Sequence, residues 1–186
     1  MPNGKISIDD PRAADIRGLL ERHLAFVNSQ SPPEDVHALD VDGLLDPAVT
    51  FFGFRDDGEL LGVGALKQLD EHHAEVKSMH TVQAARGRGV ARAILQHILA
   101  VARDRGCTRI SLETGTMEGF APARTLYATA GFTPCGPFAD YRLSPNSTFM
   151  TLSLNGPEPA NGAEPANHSE PTNHSEPAAA ESPGAH

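Results

Sequence analysis

The chain has 186 residues, of which 39% are hydrophobic and 21% are charged, a balance typical of a globular domain long enough to bury a core. Its formal net charge of -9 argues against a nucleic-acid partner, because affinity for phosphate backbones comes largely from Lys and Arg. No apolar run approaches the ~20 residues of a membrane span, and the N-terminal residues do not resemble a signal peptide. We therefore expect a cytoplasmic protein with no membrane partner.

The composition changes after Leu154. Residues 155–186 contain no Val, Ile, Leu, Phe or Tyr, and most of them form six-residue repeats that begin with Glu-Pro. Such a segment cannot bury enough apolar surface to offset the entropy lost on ordering. We therefore predict one domain over residues 1–154, followed by a disordered acidic tail over residues 155–186.

Hydrophobic periodicity and turn residues divide the domain into strands and helices. Asp56-Asp57-Gly58 between two apolar runs is typical of a β-hairpin, and Gly106 and Gly131 are placed to end two helices. A hairpin-rich first half joined to a βαβ second half predicts an α/β fold, with a mixed sheet and helices on both faces. The predicted strands cover residues 5–8, 49–54, 60–66, 74–82, 109–112, 133–138 and 148–154. Helical faces are formed by Ile16, Leu19, Leu20 and Val27, and by Val90, Ile94, Ile98 and Val101, with shorter helical segments near 34–44 and at 121–130.

A turn rich in glycine and arginine separates a predicted strand from the most regular predicted helix. Gly87 and Gly89 remove side chains from this turn, so backbone N–H groups can approach a ligand closely. The helix N-terminus behind them favours an anion such as a pyrophosphate, and Arg86, Arg88 and Arg92 add positive charge. The pattern matches neither Gly-x-Gly-x-x-Gly nor a P-loop. The alternative interpretation is a glycine-rich turn whose arginines are only solvated.

A second motif follows about forty residues later, where residues 126–132 read Leu-Tyr-Ala-Thr-Ala-Gly-Phe. Together with Arg-Gly-Arg-Gly-Val-Ala at residues 86–91, it resembles the paired signature of the GNAT superfamily of N-acetyltransferases. The resemblance covers roughly residues 3–154. It implies the acyl-CoA N-acyltransferase fold, with a mixed central sheet of six to seven strands, and acetyl-CoA as co-substrate.

The resemblance also implies an acetyl-CoA site with three parts. The amides of the glycine-rich turn are expected to hold the pyrophosphate, and the backbone of the preceding strand to pair with the pantetheine arm. Tyr127 is expected near the thioester sulfur. Many members carry Asn at the start of the final helix, where this chain has Glu118. The implied cofactor-binding residues are Met79, His80, Thr81, Arg86, Gly87, Arg88, Gly89, Val90 and Ala91.

Acetyl transfer to an amine requires loss of a proton, because an amine of pKa ~10.4 is neutral only about once in 2,500 molecules at pH 7. Glu75 resembles the strand glutamate that removes this proton through water in several relatives. Its alternative roles are a solvated carboxylate or a partner of Lys77, and His80 or water could serve as the base instead. Regular alternation would place Glu75, Lys77, Met79 and Thr81 on one face of the strand, and Val76, Ser78, His80 and Val82 on the other.

The leaving thiolate, of pKa near 8.5, can take a proton from a phenol held beside it. We therefore expect Tyr127 to act as the acid, and its alternative role is a buried aromatic between helix and sheet. Asp140 and Tyr141, followed by Arg142, are predicted to line the pocket for a small-molecule or peptide amine. We expect direct attack in a ternary complex, with neither a metal ion nor a cysteine nucleophile.

Two further hypotheses remain open at this point. The chain could be a catalytically silent acyl-CoA-binding regulatory module, which would bind CoA without turnover. It could instead be an interaction protein whose acidic tail recruits a partner, which predicts no CoA binding. A homodimer is possible, because relatives of this kind are often dimers.

Overall fold

The computed structural model describes residues 4–30, 32, 37 and 39–155. Seven strands form one sheet in the order β1-β2-β3-β4-β5-β7-β6. The predicted order of elements and the predicted fold class are confirmed, whereas the predicted tail lies outside the described residues from residue 156 onward. The strands are β1 (Lys5–Ile8), β2 (Val49–Asp56), β3 (Glu59–Gln68), β4 (His73–Thr81), β5 (Arg109–Gly115), β6 (Thr133–Pro134) and β7 (Ser147–Ser153), and the α-helices are α1 (Ala14–Gln30), α2 (Val41–Leu44), α3 (Val90–Asp104) and α4 (Ala121–Thr129).

The sheet is mixed because only one neighbouring pair is parallel. Strands β1 to β4 pair antiparallel in sequence order, and short turns connect β2 to β3 and β3 to β4. Strand β5 lies parallel to β4, and α3 makes the crossover between them. The last strand, β7, pairs antiparallel with β5 and separates it from β6. None of the helices in the described part of the chain is long and apolar enough to cross a membrane.

Two apolar clusters, one on each face of the sheet, form the core. The helical faces predicted for α1 and α3 are the buried ones, with Val101 at the partly buried margin of its cluster. Helices α1 and α2 cover a cluster of Ile16, Leu19, Leu20, Leu44, Phe51, Leu60, Val63 and Ala65. On the opposite face, α3 and α4 cover a cluster that includes Phe52, Leu66, Val76, Ile94, Ile98, Ile110, Leu112 and Tyr127.

A β-bulge interrupts β4. Its pairing with β3 shifts so that Ser78 and Met79 together lie opposite a single residue, and Ser78 adopts a φ of 52°. An extra residue moves every later side chain to the other face of the strand. The predicted alternation is therefore wrong beyond Lys77. His80 lies on the α1 face with Glu75, and Met79 packs into the α3 cluster.

The strand predicted over residues 133–138 is also shorter than expected. Ladder pairing with β7 is confined to Thr133 and Pro134, and one further bond runs from the N–H of Cys135 to the carbonyl of Phe149 at 3.0 Å. Pro134 and Pro137 have no N–H to donate, so the segment cannot sustain a ladder. The chain leaves the sheet here and forms the loop that carries residues 139–144.

Candidate active site

Strands β4 and β5 diverge near the middle of the sheet. Their parallel ladder ends at the pair Glu75–Ser111, and no further pair joins the two strands within the described residues. Backbone N–H and C=O groups on this edge of β4 are therefore available to an added strand. Met79, His80 and Thr81, predicted to bind pantetheine, lie along this stretch.

The glycine-rich loop connects β4 to α3. Gly87 and Gly89 have φ values of 73° and 85°, a region that glycine adopts without strain. A Cβ at Gly87 would meet no atom within 4 Å, so the space beside this backbone is open. Gly89 is the N-cap of α3 and supplies no side-chain cap, and the first amides of a helix have no partner within it. The arginine side chains around the loop, Arg86, Arg88 and Arg92, are exposed.

Tyr127 projects from α4 into a cavity of about 100 Å³ between β4 and β5. The residue is only 6% exposed, and its hydroxyl makes no hydrogen bond to any residue of the described ranges. Burial raises the pKa of Tyr127, and the charge of Glu113, which lines the same cavity, raises it further. Arg124 fixes α4 to the end of β5 by donating to the carbonyls of Gly115 and Met117 at 2.7 and 2.9 Å. The phenol is thus held protonated in an open cavity.

Glu75 is buried beneath Tyr141. The carboxylate is 2% exposed and accepts a hydrogen bond of 2.5 Å from the Tyr141 hydroxyl. Lys77 donates to the same hydroxyl at 2.7 Å and to the His37 carbonyl at 2.9 Å, and its Nζ lies 3.3 Å from Glu75 Oε1. Burial, and secondarily the negative charge of Glu75, raises the pKa of Tyr141. These side chains form a connected polar group in which the phenol stays protonated.

A second cavity, of about 310 Å³, lies on the other side of this group. Asp140 and Tyr141 line it, as do Glu75 and Lys77. His37 and Lys77 line both cavities, so the two adjoin at the lysine. The arrangement offers one compartment for a thioester beside Tyr127 and a neighbouring compartment for a second substrate.

Comparison with known proteins decides the family. The profile of the Acetyltransferase (GNAT) family matches residues 15–132, which contain the glycine-rich loop, the diverging strands and Tyr127. The chain belongs to the GNAT family. It is therefore an acetyl-CoA-dependent acetyltransferase, and the expectation from the two sequence motifs is confirmed.

Two bacterial GNAT relatives are similar over nearly their whole length. The uncharacterized N-acetyltransferase YedL of Escherichia coli (strain K12) is 49% identical over 149 residues, which cover 80% of this chain and 94% of YedL. The uncharacterized N-acetyltransferase YsnE of Bacillus subtilis (strain 168) is 48% identical over 149 residues, covering 80% of this chain and 99% of YsnE.

Among solved structures, YncA of Salmonella typhimurium, determined with its cofactor acetyl-CoA, shares the GNAT fold. It superposes with a TM-score of 0.61 at 18% identity and covers 85% of this chain and 98% of its own.

The GNAT fold brings some of the predicted site residues together and separates others. Glu75 and Tyr141, 66 positions apart in sequence, are in direct contact. Tyr127 and Glu75 line different cavities. Asp140 is exposed at the second cavity, and Glu118 is exposed in a single 3-10 turn before α4.

Sequence reasoning missed two features of the GNAT site. Glu113 lies at the cavity of Tyr127, and its position after the alternating Arg-Ile-Ser-Leu of β5 could have indicated it. His23 of α1 packs against His80 with ring centroids 4.7 Å apart. Burial lowers the pKa of His23 to about 4, and burial together with the nearby charges of His23, Arg86 and Arg22 lowers that of His80 to about 4. No sequence signal pairs these two residues, because α1 and β4 meet only in the folded chain.

Proposed function

We propose that the chain transfers the acetyl group of acetyl-CoA to a primary amine, by direct attack of the amine within a ternary complex. The observation that carries the proposal is the divergence of β4 and β5 beyond Glu75, with Tyr127 in the gap. The open backbone of β4 suits a pantetheine arm, and the loop at Gly87 suits a pyrophosphate. The acetyl-CoA held by YncA on the same fold supports this assignment.

The proton of the amine leaves through Tyr141 to Glu75. An ammonium group of pKa ~10.4 must lose a proton before it can attack, which at pH 7 corresponds to ~4.6 kcal/mol. The Tyr141 oxygen accepts this proton while its own proton moves to Glu75 Oε1, along the existing bond of 2.5 Å. Lys77, at 2.7 Å from the same oxygen, stabilises negative charge there during the transfer. Glu75 thus serves as the base although it is buried.

Tyr127 stabilises the departing sulfur. The amine nitrogen forms a bond to the carbonyl carbon, the carbon–sulfur bond breaks, and CoA leaves as a thiolate that takes up one proton. A phenol whose pKa is raised by burial is a weaker acid than a thiol of pKa ~8.5, so full transfer from Tyr127 is unfavourable. Its hydroxyl therefore acts chiefly as a hydrogen-bond donor to the sulfur, and solvent completes the protonation.

The test combines binding with turnover in the purified full chain. Calorimetry with CoA should give saturable heat, and acetyl-CoA with a panel of amines should release free thiol. A chain that binds CoA but releases no thiol with any amine would instead be the catalytically silent binding module. A chain that shows neither heat nor a melting-temperature shift with CoA would contradict the proposed site itself.

A matched pair of glycine variants locates the CoA site. Gly87 and Gly58 both have positive φ, and a Cβ on either would meet no atom within 4 Å. Alanine at each position therefore costs a similar ~1 kcal/mol of folding free energy from backbone strain. Gly87→Ala should also weaken CoA binding about tenfold or more, because its methyl group occupies the space proposed for the pyrophosphate. Equal CoA affinities for Gly87→Ala and Gly58→Ala would contradict this placement.

A further inference from the structure

The cavity proposed for the acceptor carries an excess of positive charge, in a chain whose formal net charge is -9. Its charged lining residues are three cations and two carboxylates: Lys67, Lys77, Arg142, Glu75 and Asp140. A local positive balance at the substrate pocket of an acidic protein favours a ligand of the opposite sign. The position of each charge decides which ones are available to that ligand.

Glu75 and Lys77 already satisfy each other within the cavity wall. The carboxylate accepts from Tyr141 and lies 3.3 Å from the lysine nitrogen, and both side chains are nearly buried. Asp140 is exposed at the rim, where water screens its charge. Glu75 therefore offsets Lys77, and Asp140 is the one carboxylate of the cavity lining left to oppose the two remaining cations.

Lys67 and Arg142 are those remaining cations. Lys67 lies opposite Glu75 in the β3–β4 ladder and is partly buried, yet no hydrogen bond or ion pair joins it to any residue the structure describes. Arg142 is exposed on the loop across the cavity and likewise has no such partner among the described residues. Two cations that line one cavity and have no partner among the described residues favour an anionic ligand there.

We infer that the amine acceptor carries an anionic group, a carboxylate or a phosphonate, which Lys67 and Arg142 bind. The inference rests on the proposed function, because it assumes that this cavity receives the amine. The wall shared with the Tyr127 cavity at Lys77 sets the orientation: the amine points toward the thioester and the anionic group toward Lys67. A volume of about 310 Å³ accommodates roughly ten water molecules, which matches an acceptor of amino-acid size.

The experiment compares acceptors that differ only in the anionic group. Thiol release from acetyl-CoA is measured with amino acids and their amides, and with aminoalkyl phosphonates and the corresponding alkylamines. We expect kcat/KM to be at least tenfold higher for the anionic member of the preferred pair. The carboxylate and phosphonate arms identify which anion the site prefers.

Variants then test whether Lys67 and Arg142 cause the preference. Lys67→Met keeps the length of the side chain and removes its charge, and it should lower the anionic-to-neutral ratio of kcat/KM about tenfold, as should Arg142→Met. The control Lys5→Met removes a lysine from the exposed edge strand β1 and should leave the ratio unchanged. The ratio, rather than the rate, is the readout, so a general loss of folding or turnover does not imitate the effect.

The outcomes separate this inference from the function on which it rests. Acetylation of neutral amines at rates equal to or above those of their anionic partners would overturn the anionic acceptor and leave the acetyltransferase intact. A preference that survives in Lys67→Met and Arg142→Met would overturn the assignment of these two residues. Thiol release that is absent with every amine, despite CoA binding, would overturn the proposed function and this inference together.

Discussion

The histidine pair between α1 and β4 makes the stability of the fold depend on pH. His23 packs on His80, its Nδ1 is buried without a hydrogen-bond partner in the described part of the chain, and burial lowers its pKa to about 4. In the unfolded chain the same imidazole titrates near 6.5. Between these two values the unfolded state binds a proton that the folded state does not. The stabilisation is therefore complete above pH 6.5 and is lost as the pH falls toward 4.

The size of the effect follows from the shift. At pH 5, which is 1.5 units below the pKa of the unfolded imidazole, His23 is protonated in the unfolded chain and still neutral in the folded one. His23 alone therefore lowers the free energy of unfolding by about 2 kcal/mol relative to pH 7.5. For a domain of this size this corresponds to roughly 4–8 °C in melting temperature. Other groups also titrate in this range, so the contribution of His23 is isolated by comparing variants.

The perturbation is His23→Phe, which keeps an aromatic ring beside His80 and cannot take up a proton. Urea unfolding at pH 7.5 and 5.0 is followed by circular dichroism, because the chain contains no Trp. The wild type should lose about 2 kcal/mol more than His23→Phe over this interval. His72→Phe, at an exposed histidine, controls for the substitution and should lose as much as the wild type. Equal losses in wild type and His23→Phe would refute the reasoning.

Three further predictions concern catalysis and packing. Tyr127→Phe should lower kcat about 10–100-fold with little change in the KM for acetyl-CoA, because it removes one hydrogen bond to a developing thiolate. An unchanged kcat would exclude the Tyr127 hydroxyl from the reaction. Glu75→Gln should lower kcat/KM at least 100-fold, whereas Glu113→Gln should lower it less than tenfold. The reverse result would move the base to Glu113. Gly64→Ala should destabilise the fold by ~1–3 kcal/mol in urea unfolding, because its Cβ would lie 2.7 Å from a methyl carbon of α3. The control is Gly136→Ala, whose Cβ would meet no atom within 4 Å and which should change the free energy of unfolding by less than about 0.5 kcal/mol.

The order of elements was predictable because the apolar periods of this chain change cleanly at its turns. The hairpin at Asp56-Asp57-Gly58 and the amphipathic α3 illustrate this, since a local pattern determines each of them. The β-bulge was not predictable, because Ser78 adopts a left-handed φ that its side chain does not favour, and only tertiary packing enforces it. The sequence therefore indicated where β4 runs but not which face His80 occupies.

The candidate site was likewise predictable only in part. The loop at Gly87 and the helix residue Tyr127 belong to contiguous motifs, so their resemblance to a family was visible in the sequence. The contact of Tyr141 with Glu75 joins residues 66 positions apart, across a loop that leaves the sheet after Pro134. No local pattern encodes such a contact. The residue predicted as the base, Glu75, and a residue predicted to line the acceptor pocket, Tyr141, belong to one hydrogen-bonded group.

The position of β7 in the sheet has a consequence for synthesis of the protein. This strand is the last in the described part of the chain, yet it supplies seven ladder partners to β5 and is the neighbour of β6 as well. Every residue assigned above to acetyl-CoA, acceptor or proton transfer is translated before residue 147. A nascent or prematurely terminated chain can thus hold the complete set of reactive side chains while one edge of β5 remains unsatisfied and open to aggregation. Activity should accordingly appear only when the final strand has left the ribosome and inserted.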